Sequence, residues 1–282
     1  MAVGPLRALV AAGHDISLCI TRPDRRRGRG GTITPSPVKE AAASLGIAVS
    51  HSMDDVAMSG AELAVVVAYG RIIPEGLLNL VPMVNLHFSL LPRWRGAAPV
   101  ERAILAGDHE TGVCVMRVEA GLDSGPVYAR RVVPVDDEVD LPTLRSELVD
   151  VGSALLVETL AGGVAGLPAP EPQQGEPTIA AKVANEDLHL QWEEPAVQLH
   201  RVVRLGRAWT TFRGRRLGIL KSHVVADAVG QGLPGTLIRA SVVTGQGALS
   251  LLVVQPESRS PMSAEDWLRG IRPTESERLG SD

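Results

Sequence analysis

The apolar positions of this chain fall into short runs of two kinds. LAVVVAYG (63–70) is continuous and strand-length, the pattern of a strand buried on both faces of a parallel sheet. DISLCIT (15–21), MVNLHFS (83–89), VCVMRVE (113–119) and PVYARRVVPV (126–135) read as further strands, and IAVS (47–50) as a short one. Helical stretches lie between them. LRALVAAG has Pro5 in its first turn and Gly13 as its stop, and VKEAAASL (38–45) is stopped by Gly46. PVERAILAGD (99–108) is helical, and residues 141–166 form a long amphipathic helix. This alternation predicts an α/β domain, a doubly wound and mostly parallel sheet, with its chemistry at the carboxyl ends of the strands.

The pattern then changes. LPAPEPQQGEP (167–177) is rich in Pro, Gln and Glu and reads as an extended linker. Beyond it, RLGILKSHVV, GTLIRASVV and ALSLLVVQP are separated by Gly-containing turns, which predicts a small C-terminal β-barrel. MSAEDWLRG (262–270) closes the chain as a helical piece capped by Ser263. The expected organisation is therefore an α/β domain over 1–166, a linker over 167–186 and a β-barrel over 187–282.

Composition adds a constraint on partners. Of 282 residues, 45% are hydrophobic and 21% charged, the balance of a soluble globular protein. The net charge of −4 gives no overall signal for nucleic acid, but its distribution does. Residues 22–29 hold five arginines against one aspartate, and residues 201–223 hold seven Lys/Arg and no carboxylate. Two such runs suggest a polyanion held at defined places, against the plain alternative of solvated charged faces. Cys19 and Cys114 lie inside apolar strand-like runs and read as buried small hydrophobes, with no metal-ligand spacing. No apolar run approaches the length of a membrane span, and the first residues lack a signal-peptide pattern. The expectation is a cytoplasmic monomer with no metal and no membrane association.

One cluster carries candidate chemistry. Asn85 and His87 are two apart, so on a strand they share a face. Asp123, in GLDSG, follows the histidine by 36 residues (123 − 87) and closes the next strand. An amide donor and an imidazolium can stabilise charge on a carbonyl oxygen, while a carboxylate orients the ring, raises its pKa and helps accept a proton. The alternative is a structural histidine and an ordinary turn.

Here the residues become more specific. NLHFSLLPRWRGAAP resembles the signature of the folate-dependent formyltransferases, and its RWRGAAP continuation resembles the methionyl-tRNA branch. TRPDRRRGRG…PSPVK, VVVAYGRIIP, ILAGDHETGV and GLDSGPVY match in the same order, so the resemblance spans essentially the whole chain. It implies transfer of a formyl group from 10-formyl-tetrahydrofolate to initiator methionyl-tRNA. It also implies that Asn85 and His87 stabilise the tetrahedral oxyanion and that Asp123 pairs with His87 and helps move the proton. The folate site would be Tyr69, Gly70, Arg71 and Ile73, with Ser89, Leu90, Leu91 and Pro92, and Glu119 and Gly121, largely through backbone groups. Transfer RNA would be held by Arg25, Arg26, Arg27 and Arg29 of the basic loop, by Arg93 and Arg95 beside the catalytic strand, and by Arg213, Arg215, Arg216 and Lys221 of the barrel. Trp94 would stack on a base or pack its own loop.

The sequence departs from this family at its start. The family opens with a central strand ending in a Gly-Thr-Pro turn, whereas here Met1 is followed at once by the first helix. The expectation is that one strand and its turn are absent and that the native protein is longer. The competing expectations are a relative that formylates a ribonucleotide or nucleotide-sugar amine or hydrolyses formyl-folate, and a non-catalytic fold that only binds tRNA.

Overall fold

The computed structural model describes residues 1–27, 31–225, 232–274 and 277–281. The chain divides into two compact units, one of Met1–Val100, Glu110–Pro134 and Leu144–Ala181, the other of Glu101–His109, Val135–Thr143 and Lys182–Asp282.

The first unit begins with α1 (Val3–Ala11), β1 (Cys19–Ile20), β2 (Arg25–Arg27), β3 (Thr32–Thr34), α2 (Pro37–Ser44), β4 (Val49–Ser50) and α3 (Asp54–Met58). Proline sits in the first turn of α1, and Gly13 stops it with φ +88°. Ser36 caps α2 by accepting the Lys39 N–H at 3.1 Å, with Pro37 supplying a first position that needs no donor. The basic stretch expected as a flexible loop is instead a β2–β3 hairpin over its described residues, with Arg25 opposite Thr34 and Arg26 opposite Ile33.

Next come β5 (Ala64–Val67), α4 (Glu75–Leu78), β6 (Met83–His87), β7 (Arg95–Gly96), α5 (Pro99–Ala106), β8 (Glu110–Arg117), β9 (Val127–Pro134), α6 (Leu141–Leu160) and β10 (Ile179–Ala180). The main sheet has the order β5-β6-β8-β9. Only β5 and β6 are parallel; β8 runs antiparallel to both β6 and β9. The sheet is thus mixed, which corrects the expectation of a mostly parallel one. The chain re-enters at the end of β6 it left, because residues 88–109 are spent in loop, β7 and the short α5 rather than in a crossover.

A second correction concerns β5. Its residues are only half-buried, although the run is continuous and apolar. β1 pairs only with β4, and β5 only with β6, among the described residues. Cys19, Ile20, Val65 and Val67 line one cavity of about 200 Å³ together with Leu6 and Leu9 of α1. Cys114 lies wholly inside, and Cys19 nearly so.

The second unit adds α7 (Ala196–Arg204), β11 (Ala208–Phe212), β12 (Arg215–Val225), β13 (Leu237–Ile238), β14 (Ser241–Val243), β15 (Ala248–Pro256), β16 (Met262–Ser263) and α8 (Ala264–Ile271). Its strands are antiparallel in the order β11-β12-β15-β14-β13, with β16 on β15, and among the described residues they form an open path rather than a closed ring. Alternation decides which side chains go inward: Ala208, Thr210 and Phe212 of β11 are buried, Trp209 and Thr211 less so. Trp267 meets Phe212 edge-on at 5.0 Å, and Trp192 places its indole N–H on Thr210 Oγ1 at 3.0 Å. Ser263 caps α8 by accepting the Asp266 N–H at 3.1 Å. Among the described residues no helix is long and apolar enough to cross a membrane.

Candidate active site

β6 carries Asn85 and His87 on one face, between a parallel and an antiparallel neighbour. The residues around them are apolar and buried, so the strand is rigid and the two polar groups are the exception on it. Because β8 is antiparallel, the β8–β9 hairpin loop leaves beside the amino-terminal half of β6, with Arg117 opposite Val84. That loop brings Asp123 over the same face. Asp123 adopts φ +44°, a left-handed conformation that aspartate tolerates better than most residues.

Three groups converge on the Asp123 carboxylate. Asn85 Nδ2 donates to Oδ1 at 3.3 Å, and the Gly96 N–H donates to Oδ2 at 2.8 Å. His87 Nδ1 faces Oδ2 at 3.6 Å, beyond a hydrogen bond but within the reach of an ion pair. The other ring nitrogen of His87, Nε2, lies 2.9 Å from the Trp94 carbonyl oxygen. A carbonyl only accepts, so Nε2 carries the proton and the neutral ring has its lone pair on Nδ1.

His87 is 5% exposed. Burial pushes its pKa below the ordinary histidine value, and this outweighs the opposing pull of Asp123 and of the Trp94 carbonyl. The resting ring is therefore neutral at pH 7. Asp123 raises the pKa, but the desolvation of the ring is larger. The arrangement suits a base that takes a proton at Nδ1 and is then stabilised by the adjacent carboxylate.

The loop after β6 is held from a distance in sequence. Arg95 and Gly96 pair in parallel with Ile179 and Ala180. Trp94, at φ +61°, gives its N–H to Thr178 Oγ1 at 2.8 Å. Gly96 has φ +118°, and a Cβ there would sit 3.0 Å from the Ala180 carbonyl oxygen, so both backbone and space require glycine. Gln173 donates to the carbonyls of Asp123 and Gly125. Nothing in the sequence pointed to Gly96, Gln173 or Thr178, because their partners lie 27, 50 and 84 residues away.

The residues expected to bind folate separate into two groups. Tyr69, Gly70 and Arg71 follow β5 and line a cavity of about 550 Å³ with Arg22 and Arg25, while Ile73 packs against the Leu77–Val81–Met83 cluster. Glu119 and Gly121 are exposed on the Asp123 loop. Ser89 and Leu91 are buried, Ser89 donating to the Arg93 carbonyl at 2.6 Å and Leu91 packing on Cys114, Met116 and Val127. Leu90 and Pro92 are half-buried, Leu90 lying against Gly112. The buried side chains of Ser89 and Leu91 thus shape the loop, while Leu90 and Pro92 remain partly accessible.

The cations separate too. Arg25 and Arg26 lie on the β2 strand, Arg27 continues it, and Arg29 falls outside the described residues. Arg93 lies over the Trp94 ring, 4.5 Å from its centre, and Arg95 is bound to Gln173 Oε1. In the second unit Arg213 is paired with Glu277, whereas Arg215 and Arg216 open β12, Arg216 stacking 4.3 Å from the Trp209 ring centre. Lys221 is exposed further along β12. The seven cations of 201–223 are not one surface: Arg204 is 5% exposed and donates to the carbonyls of Val139 and Asp136 at 2.8 and 2.6 Å.

Comparison with known proteins identifies the family of the chain. Residues 6–160 match the family model described as formyl transferase, and residues 182–272 match that of the formyl transferase C-terminal domain. The methionyl-tRNA formyltransferase of Solibacter usitatus is 40% identical over 297 aligned positions, covering 99% of this chain and 95% of the relative. That of Roseobacter denitrificans is 42% identical, covering 94% of this chain and 91% of the relative. Among solved structures, an N-formyltransferase from Helicobacter canadensis in complex with folinic acid and dTDP-3-aminofucose superposes with a TM-score of 0.67 at 15% identity, covering 89% of this chain and 95% of that one. The methionyl-tRNA formyltransferase from Clostridium thermocellum gives 0.51 at 18% identity, over 63% of this chain and 81% of that one. This chain belongs to the formyl transferase family and, within it, to the methionyl-tRNA formyltransferases.

Proposed function

We propose that the chain transfers a formyl group from 10-formyl-tetrahydrofolate to the free amine of methionyl-tRNA(fMet), preparing the initiator tRNA for translation. The observation that carries this reading is the convergence of Asn85, His87 and Asp123 on one face of β6, in a chain 40% identical to a methionyl-tRNA formyltransferase over 99% of its length.

The donor fits the residues present. The cavity beside Tyr69 and Gly70 is lined by Arg22, Arg25 and Arg71 and, among the described residues, by no carboxylate, which suits an aromatic ligand bearing anionic groups. When bound, 10-formyl-tetrahydrofolate supplies the formyl carbon. Asn85 spends one N–H on Asp123 and keeps the second for an oxygen on which negative charge develops. The attacking amine must lose a proton, which neutral His87 would accept at Nδ1, directly or through water, and would return to the donor's departing nitrogen as that nitrogen's bond to the formyl carbon breaks. Asp123 stabilises the intervening imidazolium while the Trp94 carbonyl keeps the ring from turning.

The polyanionic acceptor is held by cations. Arg25 and Arg26 are presented on β2 where it pairs with β3, with Arg27 and Arg29 beside them in sequence. Arg93 joins them, and Arg215, Arg216 and Lys221 are the contacts of the second unit; Arg95 and Arg213 are already engaged with Gln173 and Glu277 and contribute less. On this reading residues 1–166 carry the chemistry, 167–186 connect and also tie the site's loops together, and 187–282 form a small β-rich domain built on the antiparallel sheet. The protein acts as a cytoplasmic monomer. The test offers the purified chain two acceptors with 10-formyl-tetrahydrofolate, methionyl initiator tRNA and a nucleotide-linked amino sugar. Formylation of the aminoacyl-tRNA alone is the expected result, and formylation of the sugar alone would replace this reading.

A further inference from the structure

Gln173 lies in the Pro-rich stretch 167–177, far in sequence from β6, yet its side chain uses its whole hydrogen-bonding capacity at the site. Nε2 donates to the carbonyl oxygens of Asp123 and Gly125, both at 2.8 Å. Oε1 accepts from Arg95 Nε at 3.0 Å and Nη2 at 2.6 Å. Carbonyls only accept and a guanidinium only donates, so one orientation of the amide satisfies all four contacts. Glu171, two residues earlier, exchanges backbone hydrogen bonds with Val127 at 2.8 Å each way. Thr178 holds the Trp94 N–H, and Ile179–Ala180 pair with Arg95–Gly96. One extended segment therefore ties together the two loops that supply the site, the Trp94–Gly96 loop that fixes His87 and the loop that carries Asp123.

We propose that Gln173 is a positioning residue of formyl transfer, cross-linking the Asp123 loop to the Arg95 loop and so setting where the Asp123 carboxylate stands relative to His87 Nδ1. The inference rests on the proposed function for its catalytic consequence. Asp123 stands in a left-handed conformation, and its carbonyl and that of Gly125 are both held by the Gln173 amide. Without that tie the Asp123 carboxylate keeps, among the described residues, the Gly96 N–H and the Asn85 amide as its hydrogen-bond donors, and the 3.6 Å approach to His87 loses the hold on the loop's carbonyls. A shift of about 1 Å in such a group can cost about 10²-fold in rate.

The test compares wild type with Gln173→Met, which keeps length but removes every hydrogen bond, and Gln173→Glu, which keeps the acceptor for Arg95 but turns a carboxylate oxygen toward two carbonyls. The groups facing His87 are Asp123 from the hairpin loop, the Trp94 carbonyl, and Cys114 across the β6–β8 ladder. Of these Asp123 alone is charged at neutral pH. Both variants should lose about 10- to 100-fold in kcat, with KM for either substrate changed less than threefold. In Gln173→Met, which adds no charge, the acid limb of the kcat profile should move to lower pH, because a displaced Asp123 no longer raises the His87 pKa. The same shift should appear in the His87 ring resonances titrated by NMR in the absence of substrates. A merely structural tie would lower the melting temperature and leave the His87 titration in place, and that result overturns the proposal. Absence of turnover in wild type would reject the proposed function, while the NMR titration would still decide the role of Gln173.

Discussion

The 3.6 Å between His87 Nδ1 and Asp123 Oδ2 is too long for a hydrogen bond and short enough to stabilise a proton once the ring has taken one. The opposite nitrogen is fixed on the Trp94 carbonyl at 2.9 Å, which settles the tautomer. Together these contacts leave His87 buried, with the Nδ1 lone pair turned toward a carboxylate.

Asp123→Asn removes that counter-charge while keeping a side-chain oxygen able to accept the Gly96 N–H. We expect formyl transfer to fall by about 10²- to 10⁴-fold with little change in KM, the range for loss of a positioned acid–base group. Steady-state kinetics on both substrates check this.

Asn85→Ala removes the amide donor without touching the ring. The expected loss is about 10²- to 10³-fold in kcat, as for an oxyanion donor, with folate binding by fluorescence titration unchanged. An equal loss in binding would place Asn85 in recognition rather than catalysis.

Gly96→Ala puts a Cβ at φ +118° and 3.0 Å from the Ala180 carbonyl oxygen. The backbone must move, and with it the N–H that holds Asp123. Activity should fall by at least about tenfold, and the melting temperature should fall as well.

The pH dependence of stability has a definite sign. Burial lowers the pKa values of both His87 and His200, outweighing the nearby Asp123 and Glu138. An unfolded imidazole titrates near about 6.5, so below that pH the unfolded chain binds protons the folded one refuses. This stability is fully present above about pH 6.5 and is lost as pH falls through the folded pKa values. Denaturation midpoints between about pH 5 and pH 7 should drop on acidification, and His200→Gln should flatten the slope. An unaltered slope in that variant would remove His200 from the account.

Much of the site was legible in the sequence because it is local. Asn85 and His87 are two residues apart on a strand, which fixes their common face before any tertiary contact forms. Asp123 was legible through its motif, although the reason for its approach was not: the strand before it runs antiparallel to β6, a direction decided by where residues 88–109 re-enter the sheet. The charge count took 201–223 as one basic run, yet Arg204 within it lies on the buried side of α7 and ties down the Asp136–Val139 turn. Arg213 was counted as available and is paired with Glu277, 64 residues away. Gln173 was hidden for the same reason. Glutamine in a Pro-rich stretch is ordinary, and only the folded chain shows its amide on Asp123.

The most direct test is formyl-methionine formation from 10-formyl-tetrahydrofolate and methionyl initiator tRNA by the 282-residue chain, beside His87→Ala. The account predicts turnover by the wild-type chain and a loss of at least about 10²-fold in the variant with its fold retained. Turnover that survives the substitution, or a folded wild-type chain that forms no formyl-methionine, would contradict it.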